Sequence, residues 1–95
     1  MPEPHVSTPE SIAAELEAIA ASIGEGADPD AVERRMRLAH DAVLRLGGDV
    51  NQGRAVSIAL LVAALRAGAP PHSGMAQKLL GVATDLREHG ATGAS

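Results

Sequence analysis

Ninety-five residues suit one domain with one hydrophobic core. With 45% apolar residues but no Phe, Tyr or Trp, that core must be built from Leu, Ile, Val, Met and Ala, while zero cysteines exclude a disulfide framework, a thiolate nucleophile and a cysteine-bound zinc or iron–sulfur site. The net charge of −4 argues against general attraction to nucleic acid or to anionic membranes.

Residues 1–7, with two prolines and few large apolar groups, read as a flexible arm. The opening MPEPHVSTPE has no basic segment followed by an apolar run, so no secretory leader is expected and the cytoplasm is the default location. The first helix starts at Thr8-Pro9-Glu10, with Thr8 as N-cap and Pro9 at the first helical position; Ser7 with Glu10 is a second way to cap it. Ile12, Leu16, Ile19 and Ile23 step 4, 3, 4 along one face, and Gly24 ends the helix. Asp28-Pro29 repeats the opening device. The second helix then carries Val32, Met36, Ala39, Val43 and Leu46 as its seam, with Leu38 and Leu44 off that seam, and stops at Gly47-Gly48.

Asp49 is the expected cap of the third helix, with Gln52 in the capping-box position and a span of about Val50 to Ala67. Its stretch AVSIALLVAAL, Ala55 to Leu65, holds no charge, which predicts a central helix covered on most of its circumference. Val56, Leu60 and Ala63 lie on one face and Ile58, Leu61 and Leu65 on another. Eleven uncharged residues fall well short of the ~20 needed to cross a bilayer, so no membrane span is expected. Pro70-Pro71 blocks continuation, and Ser73 is the expected cap of a last helix with seam Met75, Leu79, Val82 and Leu86, with Leu80 beside it. That helix ends at His89-Gly90, and 91–95 read as a flexible tail, which leaves 8–90 as a single helical domain.

Four striped helices with short loops predict an all-α, up-down-up-down four-helix bundle. The alternative is a two- or three-helix core completed by homodimerisation. Residues 1–33 carry eight acidic side chains and no Lys or Arg, and residues 34–95 carry eight basic and four acidic ones, a split of −8 against +4. The first helix is therefore expected to lie against the arginine-bearing ones.

Candidate chemistry is sparse. His5, His40, His72 and His89 form no ligand pair at helical spacing, and Asp85, Glu88 and His89 read as a solvated last turn rather than a metal site. Ser57 is expected to bond its own i−4 carbonyl, and no nucleophile elbow, P-loop or dinucleotide fingerprint is present. No catalytic residue, metal or cofactor is expected, and the chain is read as not an enzyme. The expected function is a protein–protein interaction module, an adaptor, inhibitor or regulatory subunit. Its aliphatic surface would be formed by Leu38, Leu44 and Leu80, edged by Arg34, Arg35 and Arg37. The partner would be another protein, or a second copy of the chain. The alternative is a small helix-turn-helix DNA-binding regulator presenting Asn51, Gln52, Arg54 and Ser57, with phosphate contacts from the three arginines; the acidic first helix and the near absence of Lys weigh against nucleic acid.

Overall fold

The structure, a computed structural model, describes residues 8–90; the arm at 1–7, the tail at 91–95, His5 and the Ser7 cap lie outside the described residues. Four helices follow one another: α1 Pro9–Gly24, α2 Pro29–Leu46, α3 Asp49–Arg66 and α4 Ser73–His89. They form a compact four-helix bundle, with α1 packed along α4 and α2 packed along α3. No strand occurs among the described residues.

The helix starts follow the chemistry of the caps. The Thr8 hydroxyl accepts from the Ser11 N–H at 3.0 Å while Ser11 Oγ accepts from the Thr8 N–H at 2.9 Å, a reciprocal box closed by Ser11 rather than Glu10. Asp28 Oδ2 accepts from the Ala31 N–H at 3.2 Å. The other two expected caps are corrected. Gly48 occupies the N-cap of α3 without a side-chain bond, and Asp49 is already in the first turn. At α4 the cap is His72, whose Nδ1 accepts from the Gly74 N–H at 3.0 Å. The turn between α2 and α3 needs φ of 80° at Gly47 and 91° at Gly48, a left-handed pair that only glycine adopts without strain. So tight a turn sends α3 back along α2, and the Arg66–Glu33 pair at 3.3 Å joins the end of one to the start of the other.

The buried stripes follow the sequence periods on three helices, except that Leu46 and Val82, expected on the seams, are only half-buried and Ala83 rather than Val82 enters the core of α4. Ile12, Leu16, Ile19 and Ile23 are buried on α1, Val32, Met36, Ala39 and Val43 on α2, and Met75, Leu79 and Leu86 on α4. Helix α3 differs from the expectation. Ile58, Leu61, Val62 and Leu65 enter the core, but Val56 is 56% and Leu60 66% exposed, and Ala59 and Ala63 are exposed beside them. The physical reason is the pairing: α1 takes α4 as its main neighbour, so α3 is covered mainly by α2 and lies at the side of the bundle rather than in its centre.

The acidic first helix does lie against basic ones. Glu15 meets Arg35 of α2 at 3.0 Å, and Glu17 meets Arg87 of α4 at 2.7 Å. The hydrogen bond from Arg87 holds the Glu17 carboxyl below its ordinary value of 4.5, against a smaller opposing effect of desolvation.

Two expectations follow. Leu61→Ala should lower unfolding free energy by about 2–5 kcal/mol, whereas Leu60→Ala should stay within about 0.5 kcal/mol, both read from urea midpoints. Because the Glu17 pKa is lower in the folded than in the unfolded chain, its stabilising effect is present above pH 4.5 and is lost as pH falls through the folded value. Glu17→Gln should therefore lower the neutral plateau slightly while leaving stability at low pH unchanged, which flattens the acid limb in urea titrations run at a series of pH values.

Candidate functional site

Turning Val32, Met36, Ala39 and Val43 inward places Arg34, Arg37, Leu38 and Asp41 on the outer side of α2. Arg34 and Leu38 are one turn apart and so are Arg37 and Asp41, so an arginine stands one turn before the exposed leucine and another one turn before the aspartate. Leu38 is 64% exposed. On one side of it an open groove of ≈ 690 Å³ runs between α2 and α3; Ala59, Val62 and Ala63 line it, and Arg34, Arg37 and Arg66 stand along its walls. On the other side, a smaller groove of ≈ 440 Å³ between α1 and α2 is lined by Ile12, Glu15, Ala42 and Arg45. Leu38 lines both.

The electrostatics of the larger groove are unbalanced. Glu33 Oε2 accepts from Arg37 Nε at 2.7 Å and from Arg66 Nε at 3.3 Å, so one carboxylate serves two guanidinium groups. Asp41 sits 3.1 Å from His40 Nδ1. Arg34 forms no ion pair with the described residues. Three arginines thus face two carboxylates at this edge of a chain whose net charge is −4.

The six residues expected to form one surface separate. Arg34, Arg37 and Leu38 come together in the larger groove. Arg35 points to the opposite side of the α2 row, where Glu15 holds it. Leu44 and Leu80 are exposed but line neither groove. Arg66, Ala59 and Ala63 were missed; the signal was present, since a short antiparallel turn after α2 brings the last turn of α3 beside the first turn of α2.

A second cluster corrects the expected recognition face. Arg54 is only 5% exposed and Asn51 is buried, so neither is presented outward. Arg54 Nε donates to Asp85 Oδ2 at 2.7 Å, and Nη1 donates to Asn51 Oδ1 and to the Gly90 carbonyl, each at 2.7 Å. Asn51 Nδ2 in turn donates to the Gly47 carbonyl at 2.6 Å. The guanidinium thereby ties the start of α3 to the end of α4, and Asp85 is drawn from the expected solvated cluster into an ion pair. Counting back one heptad from Ile58 puts Asn51 on the inward face, a register that anticipates its burial. Of the four expected DNA-reading side chains, Gln52 and Ser57 remain outside. Ser57 is exposed rather than buried, and its hydroxyl donates to the Gly53 carbonyl at 3.3 Å, the expected i−4 bond.

Comparison with family models, with curated proteins and with solved structures finds no match to this chain. Among the described residues no helix is long and apolar enough to cross a membrane.

The Arg54 cluster makes an asymmetric pair of expectations. Asp85→Ala leaves a buried guanidinium without its carboxylate and should cost about 3 kcal/mol in chemical denaturation. Arg54→Met removes the charge itself and frees the half-exposed Asp85 to solvent but withdraws the Arg54 donors from Asn51 Oδ1 and the Gly90 carbonyl, so it should cost about 1–3 kcal/mol rather than leave stability unchanged.

Proposed function

We propose that the chain is a non-catalytic protein-interaction module of the cytoplasm, an adaptor, inhibitor or regulatory subunit, whose α2/α3 groove takes an amphipathic helix with an aliphatic stripe and acidic flanks. The observation that carries this reading is the groove itself: Leu38, Ala59 and Ala63 offer a shallow apolar seat while Arg34, Arg37 and Arg66 rim it, with one carboxylate shared between two of those arginines. A helix laid in an apolar groove is held by side chains one turn apart, and the basic rim adds preference for a partner of opposite charge. Leu44 and Leu80 lie outside the groove and are not assigned to it.

Protein is favoured over DNA on three grounds. Asn51 and Arg54 are occupied in the interior, the chain as a whole is acidic, and the groove between the arginines is lined by aliphatic side chains.

The test is fluorescence anisotropy with a helical probe peptide carrying Leu at i, i+4 and i+7 flanked by Glu, beside its Lys-flanked counterpart and a DNA duplex, at two salt concentrations. The Glu-flanked peptide is expected to bind and the Lys-flanked one to bind far more weakly, with charge reversal at Arg34→Glu and Arg37→Glu costing about tenfold or more in affinity. Equal binding by the doubly reversed variant removes the groove from the site. A duplex that binds with steep salt dependence while both peptides fail reverses the choice of partner.

A further inference from the structure

We infer that the outer face of α3 is a self-association surface, on which a second copy of this chain lays its own α3 antiparallel. The inference goes beyond the α2/α3 groove, with which this face shares Ala63 and, at its far end, Arg66, but neither Arg34 nor Arg37.

Asp49, Gly53, Val56, Leu60, Ala63 and Ala67 are all exposed. Their spacing is 4, 3, 4, 3 and 4 residues, which is the 3.5-residue period of a coiled-coil seam. Ile58, Leu61 and Leu65 fill the opposite, covered face, so the helix carries one seam used by its own bundle and one left unpartnered. Between Asp49 and Arg66 no exposed residue of α3 is charged.

A two-fold contact requires each position before the axis to meet its equivalent beyond it. The seam meets that condition about residue 58, because 49 and 67, 53 and 63, and 56 and 60 each sum to 116. Val56 then opposes Leu60 of the second copy, so the two large exposed side chains of the seam meet nearest the axis. Gly53 opposes Ala63, which lets the backbones approach, and a Cβ at Gly53 meets nothing in the monomer. At each end Asp49, in the first turn of one α3, comes beside the last turn and Arg66 of the other. The charges match there, and each positive helix end lies by a negative one.

The contact involves one helix per chain and so covers less than the ~800 Å² per partner of a standard interface, which places it among weak, reversible associations.

Sedimentation velocity from about 10 μM to about 1 mM reads this directly. The weight-average mass should climb towards that of a dimer for the native chain, and Leu60→Glu should hold it at the monomer with unchanged helical circular dichroism, since Leu60 is 66% exposed. The chain has no cysteine, so an introduced thiol reports orientation. Ser57→Cys, beside the axis, should oxidise to a covalent dimer. Gly53→Cys should not, because antiparallel pairing holds the two copies of that position about 15 Å apart along the helices.

A native chain that stays monomeric across the range overturns the inference, as does a Leu60→Glu variant that associates like the native one. Faster cross-linking through Gly53→Cys than through Ser57→Cys overturns the antiparallel axis. A monomeric chain whose Leu60→Glu variant loses the Glu-flanked peptide assigns the face to that peptide and overturns the dimer. The Arg34→Glu, Arg37→Glu variant should self-associate like the native chain, so failure of the groove and failure of the seam are read separately.

Discussion

The packing of α1 along α4 decides what every other surface of this protein is free to do. A helix can be covered only by neighbours lying beside it, and α1 and α4 turn Leu16, Ile19, Leu79 and Leu86 wholly into the core. That leaves α2 as the main cover for α3. A helix apolar on most of its circumference, given one extensive neighbour, buries one face and shows the other. The exposure of Val56 and Leu60, and the open groove at Leu38, are consequences of this arrangement rather than local defects in packing.

Charge follows the same geometry. The acidic first third of the chain meets its counter-ions across helix boundaries, Glu15 at Arg35, Glu17 at Arg87 and Glu33 at Arg66. Exposed pairs of this kind contribute little to stability, so their effect is to favour one arrangement of helices over others. Arg54 differs in kind. It is the one charged residue buried among those described, and its bonds to Asp85, Asn51 and Gly90 close the gap where α3 and α4 meet. Such a group favours one register strongly because any other leaves it unpaired. Once these demands are met, the surplus positive charge gathers along the edge formed by Arg34, Arg37 and Arg66.

Most of the fold was legible because it rests on local rules. Thr8, Asp28 and the Gly47-Gly48 turn announce their roles in the chain itself, and the 4, 3, 4 spacing of Ile12 to Ile23 and of Met75 to Leu86 selects the buried stripes. The composition of α3 also disclosed its two faces, Val56–Leu60–Ala63 and Ile58–Leu61–Leu65. Which of the two would be covered was not legible, since that depends on whether α1 or α3 packs along α4, a choice made between elements far apart in sequence. The candidate site divides in the same way. Arg34, Arg37 and Leu38 share an outward register on one helix and were identified together. Arg35 was misplaced because its partner Glu15 lies on another helix, and Arg66 was missed because it reaches the groove from the far end of α3.

The two surfaces left open differ in what they reject. The groove carries arginines along its walls, so basic flanks on a helix placed there would meet like charge and acidic flanks opposite charge. The outer seam of α3 has no cation for some five turns, so an acidic helix would bring carboxylates to an apolar face with nothing to offset their desolvation. An uncharged stripe bounded by one acid at its start and one arginine at its end accepts best a stripe of the same kind running the other way. Discrimination between the acidic partner proposed for the groove and the second copy proposed for the seam would need no large interface, only the uneven distribution of charge that the helix pairing imposes.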